Sequence, residues 1–237
     1  MDILKSMRPI SLRTGFLAFT FVAIASTTGG LLTACSNTSQ NQSQAPDTST
    51  TDTAATSEME HGSSMDHSMA MNLGSADANY DLRFIDAMVL HHQGAVSMAK
   101  EAQQKSQRPE IKQLANNIIQ SQSKEINQLQ QWRSAWYPKA SNEPVAYGGA
   151  DKSLKPMSDQ QRQNMAMSKD LGSADAEFDL RFINEMIAHH QSAITMAQDA
   201  LSKSQRPEIK DLAQDIVTAQ QTEIEQMKQW RQAWYQK

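Results

Sequence analysis

The sequence predicts an all-α protein, a four-helix bundle made from two duplicated antiparallel helical hairpins. Three observations carry that prediction. Residues 73–137 align without a gap to 171–235, with 40 identities in 65 positions. Within the first copy, Phe84, Met88, Ala95, Met98 and Ala102 recur at helical spacing, with His91 in the same stripe. Gly (9) and Pro (7) are few, while Ala, Gln, Lys, Glu, Leu and Met are common, which favours helix over strand. One amphipathic hairpin cannot bury its apolar face alone, whereas two together can.

The chain has 237 residues, net charge −4 and 39% hydrophobic residues. That is enough for one sizeable domain or two small ones. The acidic balance excludes nucleic acid as a partner, because no basic face offsets phosphate charge. Residues 1–34 read as a lipoprotein signal peptide. Lys5, Arg8 and Arg13 form a positive start, and Phe16 to Ala25 is a mainly apolar run of ten, too short for a stable membrane anchor. Leu32-Thr33-Ala34-Cys35 resembles a bacterial lipobox, so cleavage before Cys35 and lipidation of that residue are expected. Cleavage removes three positive charges and one negative (Asp2), leaving the mature chain near −6. Cys35 is the single cysteine, so the mature protein is expected to hold no disulfide and no free thiol. That suits a periplasmic or other extracytoplasmic location, lipid-anchored to a membrane and in part released. A soft-metal site there must use thioether and imidazole.

Residues 35–72 are expected to be the lipidated cysteine and a disordered tether. Up to residue 58 the tether is Ser, Thr, Asn, Gln, Ala and Asp without apolar periodicity. Then come Met59, His61, Met65, His67, Met69 and Met71, with no other large apolar residue among them. Methionine has no core to fill there, so these six read as a flexible ligand cluster for a soft cation.

The first hairpin is placed at 73–138. Ser75 can cap its first helix, with Asp77 in the first turn, and the helix should reach about Lys105, roughly 30 residues or about 45 Å. Pro109 and Glu110 suit the first turn of a second helix, whose stripe is Leu114, Ile118, Glu125, Leu129, Trp132 and Trp136. Residues 139–170 read as a linker, with Pro144, Gly148, Gly149 and Pro156. Ser158-Asp-Gln-Gln161 resembles a capping box, so a short helix there would carry Met165 and Met167. Those two methionines lie 98 residues after His67 and Met69, a reduced version of the first lead-in. The second hairpin is placed at 171–237.

Residues three, four and seven apart share a helix face, so Met88, His91 and Met98 line one stripe and Met186, His189 and Met196 another. His92 and His190 flank them. Thioether with imidazole is a natural donor set for Cu(I) and Ag(I). The opposing consideration is that methionine at helical spacing usually fills a core. Glu125 and Glu223 also fall on inner stripes, one turn from Gln122 and Gln220. They are expected to bond the histidines across the bundle, as a polar layer or as groups that orient imidazoles. A dimetal oxidase would need Glu-x-x-His on two helices. Here Glu185 stands four residues before His189, and its counterpart is Ala87. No nucleophile elbow or phosphate loop is present, so an enzyme is not expected. Asp81-Leu-Arg83-Phe84 and Asp179-Leu-Arg181-Phe182 recur intact and should make salt bridges at the helix starts, across the hairpins or within them. The four tryptophans are expected to plug one end of the core.

Phe84-Ile-Asp-Ala-Met88-Val-Leu-His91-His92-Gln93 and Phe182-Ile-Asn-Glu-Met186-Ile-Ala-His189-His190-Gln191 resemble the signature of the domain of unknown function 305 family. The downstream Arg-Pro-Glu-Ile and Gln-x-x-Glu-Ile segments match as well. The resemblance implies a ferritin-like four-helix bundle. Two such units behind a Met/His-rich lead-in are similar to copper-binding proteins of that kind. This implies Cu(I) and Ag(I) binding through Met and His, with Cu(II) as a further ion, and a sequestration or metallochaperone role in copper resistance. Copper efflux or other periplasmic copper proteins would then be partners. The family motif covers Met88, His91, His92, Met98 and their second-copy equivalents, while the tail ligands come from composition. Two other readings stay open: an envelope interaction lipoprotein with a buried His/Glu layer, and a ferritin-like metal-dependent oxidase.

Overall fold

The structure, a computed structural model, describes residues 72–149 and 153–237. The expected signal peptide, lipobox and Met59–Met71 cluster lie outside the described residues. Among the described residues, five helices and one small hairpin of strands make the fold. They are α1 (Tyr80–Lys105), α2 (Pro109–Trp136), β1 (Val145–Tyr147), β2 (Leu154–Pro156), α3 (Asp159–Ala166), α4 (Phe178–Lys203) and α5 (Pro207–Tyr235).

Each sequence copy folds as a helical hairpin, α1 with α2 and α4 with α5, and the hairpins meet through α1 and α4. Pro109 and Pro207 open their helices at the first turn, where the missing N–H costs nothing. The Tyr80 hydroxyl donates to Asp199 Oδ2 at 2.8 Å, which sets the start of α1 beside the end of α4. The two copies are thus related by a pseudo-two-fold. Apolar side chains gather in two clusters. One holds Phe84, Met88, Met196, Ile209 and Ile216. The other holds Met98, Ile111, Ile118, Phe182 and Met186. Burying each such side chain contributes about 1.5–3 kcal/mol.

The first helix begins at Tyr80 rather than at Ser75. The cause is Arg83, which is fully buried. Its Nε donates to Leu73 O at 2.6 Å, Nη2 to Ser75 O at 2.8 Å and Nη1 to Asp77 Oδ1 at 2.9 Å. Those bonds turn the Leu73 and Ser75 carbonyls toward the guanidinium, and the Gly74 carbonyl accepts from Lys203, so they cannot start a helical ladder. Arg181 does the same in the second copy, reaching Leu171 O and Ser173 O, both at 2.7 Å. The recurring aspartates pair across the hairpins, Asp81 with Arg206 and Asp179 with Arg108.

The tryptophans do not plug one end of the core. They form two stacked pairs, Trp132–Trp136 and Trp230–Trp234, with ring centroids 5.1 and 5.3 Å apart. Each pair is half-buried at one end of the bundle. Arg206 lies 4.2 Å over Trp136, and Arg108 lies 4.1 Å over Trp234. The arginine of the opposite hairpin's turn therefore covers each pair, a cation–π contact that lets the indoles stay at the rim.

The segment between the hairpins is more structured than a plain linker. β1 and β2 pair antiparallel, Val145 opposite Pro156 and Tyr147 opposite Leu154. Asp86 of α1 accepts from Val145 N at 3.0 Å and pins β1 to the bundle. The capping box at Ser158 and Gln161 forms as the sequence predicts and starts α3. α3 packs on α1, and its single buried residue is Met165. Among the described residues no helix is long and apolar enough to cross a membrane.

Candidate metal centre

His91 and His92 on α1 and His189 and His190 on α4 form one buried layer between the two apolar clusters, each at most 1% exposed. His91 and His189 meet at the pseudo-two-fold, with ring centroids 3.8 Å apart and planes tilted by 48°. His92 and His190 turn outward within their own hairpins. His190 Nε2 lies 2.6 Å from Glu223 Oε2. His92 Nε2 and Glu125 Oε2 stand 2.8 Å apart, but obliquely, as an ion-pair contact without an aligned hydrogen bond. The carboxylates therefore serve the histidine of their own hairpin and do not reach across the bundle, because α2 and α5 each pack on their own partner helix. Gln122 and Gln220 are buried beside this layer, and their Oε1 atoms have no hydrogen-bond partner among the described residues.

The central pair is treated asymmetrically. His91 Nε2 lies 3.0 Å from Ser192 Oγ. The residue equivalent to Ser192 in the first copy is Gly94, which has no hydroxyl to offer. His189 Nε2 instead lies 3.1 Å from the carbonyl oxygen of Ala166, at the end of α3. A carbonyl only accepts, so Nε2 of His189 carries the hydrogen and Nδ1 holds the lone pair. Burial, and next the neighbouring His190, push the His189 pKa down to about 3. Burial, and next His189, hold His91 well below the ordinary histidine range. Both rings are neutral at physiological pH, the form that ligates a metal.

All four Nδ1 atoms are buried and have no hydrogen-bond partner among the described residues. Each faces away from an Nε2 that already has a neighbour. Histidine that binds metal commonly has this arrangement, one nitrogen held by a carboxylate or carbonyl and the other free. Yet among the described residues no three His, Cys, Asp or Glu side chains converge on one point. A cation held here takes at most two imidazoles, and thioether sulfur would have to complete its shell. That donor set suits a soft ion of low coordination number and does not suit zinc or a dimetal site. Met88 and Met196 lie in the same apolar cluster with Met157 and Met165. Met98 and Met186 lie in the other with Met227. These are core positions, so packing accounts for them without a ligand role. Met167 is half-buried at the C-cap of α3 with φ 46°. Met157 and Met227, which the sequence patterns do not single out, share those clusters, and no pattern points to the Ala166 carbonyl. The exchange of Gly94 for Ser192 in an aligned motif was the one available signal for the last.

The protein is thus a small helical bundle of two duplicated hairpins around a buried histidine layer. The chain matches the family model of the domain of unknown function 305 (DUF305) over residues 29–133 and 81–231, and it belongs to that family. Among solved structures it is similar to CopM in the Cu(II)-bound form, at 37% identity over 65% of this chain and 97% of that one, with a TM-score of 0.53. The silver-soaked form of CopM matches at the same identity and coverage, with a TM-score of 0.51. An uncharacterized protein of Acanthamoeba polyphaga mimivirus is 45% identical over 49 residues, 21% of this chain and 32% of that protein. The chain thus spans about a third of that relative's length.

Proposed function

We propose that this protein binds copper outside the cytoplasm, as Cu(I) and also as Ag(I) or Cu(II), and lowers the free ion as a sequestering protein or metallochaperone. The observation that carries the proposal is the likeness to CopM, whose structures include Cu(I)-, Cu(II)- and Ag-bound forms, over nearly the whole of that chain. The buried neutral imidazoles with free Nδ1 atoms agree with it. In this reading Cys35 anchors the chain to a membrane, and Met59, His61, Met65, His67, Met69 and Met71 capture the ion. The His91–His189 layer, with thioethers beside it, receives the ion. The protein performs no catalysis, and copper efflux or other periplasmic copper proteins take up the cargo.

An anaerobic Cu(I) titration of the mature chain against a strong competing chelator tests this. The expected result is tight uptake that falls when residues 59–71 are removed. Binding no stronger than that of a methionine-free helical bundle of similar size would sink the proposal. A second reading, an envelope interaction protein with a purely structural His/Glu layer, draws on the absence of any converging three-residue site among the described residues. It expects His91 and His189 substitutions to lower thermal stability while leaving metal affinity unchanged.

A further inference from the structure

Each histidine of the layer is at most 1% exposed, and α1 carries one gap in the wall around it. A Cβ built on Gly94 would stand 1.7 Å from Ala166 O and 3.2 Å from His189 Nε2. The missing side chain therefore leaves a notch in α1 that opens directly on His189, and the last carbonyl of α3 fills it. On the pseudo-symmetric side the notch is closed from within, because Ser192 fills that place and meets His91 itself.

We propose that the Gly94 notch is the access port to the histidine layer and that α3 is a strap across it. The strap is built to detach. It has eight residues and buries one side chain, Met165. Its exit residue Met167 is in left-handed backbone, which favours glycine. An element with so few buried contacts opens locally without unfolding the helices beneath it. At the pseudo-symmetric position a serine hydroxyl, Ser192 Oγ, meets His91 where a strap carbonyl meets His189. When α3 lifts, His189 Nε2 loses its acceptor and faces solvent through the notch. Met165 leaves the core in the same motion, bringing a thioether to the mouth of the port. A soft monovalent cation is the cargo that this pairing of imidazole and thioether admits. Only that identity rests on the copper-binding reading.

The test contains no metal, so it stands or falls apart from copper binding. The mature chain and two variants are treated with diethyl pyrocarbonate, with labelled histidines read by peptide mass spectrometry. Amide hydrogen exchange is followed in parallel. Met165→Ala should raise exchange across 159–166 and speed labelling of His189 by at least about tenfold, with His91 and the amides of α1 and α4 as in the parent. Gly94→Ser should raise exchange across 159–166 by expelling Ala166, yet leave His189 unlabelled, because the new side chain fills the port. Equal labelling of His91 and His189 in Met165→Ala would mean general breathing of the bundle and would overturn the port. Unchanged protection of 159–166 in Gly94→Ser would overturn the strap, whether or not the Met165 variant folds.

Discussion

His91 and His189 pack against each other at the pseudo-two-fold, 3.8 Å between ring centroids, with neither ring charged at neutral pH. Two neutral imidazoles in contact are tolerable in a core, whereas two imidazolium ions are not. Stability should therefore depend on pH. The folded pKa of His189 is about 3 and that of His91 is also depressed, both below the unfolded value of 6.5. As pH falls below 6.5 the unfolded chain takes up protons that the folded chain refuses, so stability is full above that pH and is lost toward about 3. The slope approaches about 1.4 kcal/mol per pH unit for each histidine. Urea denaturation at pH 7.5, 6.0 and 5.0 measures it, in a range where most carboxylates stay ionised. The double variant His91→Gln, His189→Gln should show a flatter dependence, and an unchanged slope would refute the assignment.

Glu223 and Glu125 occupy equivalent positions, but the Glu223 bond to His190 is short and aligned while the Glu125 contact with His92 is oblique. Glu223→Leu leaves a buried imidazole N–H without its acceptor, at a cost of about 1–3 kcal/mol. Glu125→Leu should cost less. Chemical denaturation of the two variants compares them directly. Equal losses would show that the difference in geometry carries no energy.

Arg83 is fully buried with three partners, whereas Arg181 keeps a third of its side chain exposed. Arg83→Gln should destabilise by about 3 kcal/mol, through charge-assisted bonds that the amide cannot remake. Arg181→Gln should lose about half of that, because water can solvate the freed carbonyls. Thermal melts at neutral pH give the order, and a larger loss from Arg181 would contradict it.

The repeat made the fold legible. Forty matched positions and a Met-His stripe at spacing three and four were enough to place four long helices and their pairing. What stayed hidden depended on contacts distant in sequence. Ser75 has the chemistry of a helix cap, and only the reach of Arg83 back to Leu73 and Ser75 explains why the helix waits until Tyr80. Glu125 lies on an inner stripe in one dimension, but the stripe does not say which helix it faces. β1 and β2 have three residues each, too short for a period to register. The histidine layer was visible as residues and invisible as geometry. That His91 and His189 touch, and that their outer nitrogens take different partners, follows from the way α1 crosses α4.

The methionines beside this layer are core residues on present geometry, so a ligand role must be separated from a packing role. Met88→Leu with Met196→Leu does so, since leucine keeps the apolar volume and removes the sulfur. Both residues are buried in the same cluster. The paired substitution should change stability by less than about 1.5 kcal/mol for each site. If thioether from this cluster completes the shell of a soft ion held by His91 or His189, silver uptake by the bundle should fall while the melting profile barely moves. Calorimetric titration with Ag(I), on a chain beginning after Met71 that is first shown to give a helical melt like the parent's, isolates the bundle from the lead-in. Undiminished silver binding in the leucine variant would assign Met88 and Met196 to packing alone and leave the imidazoles as the bundle's contribution.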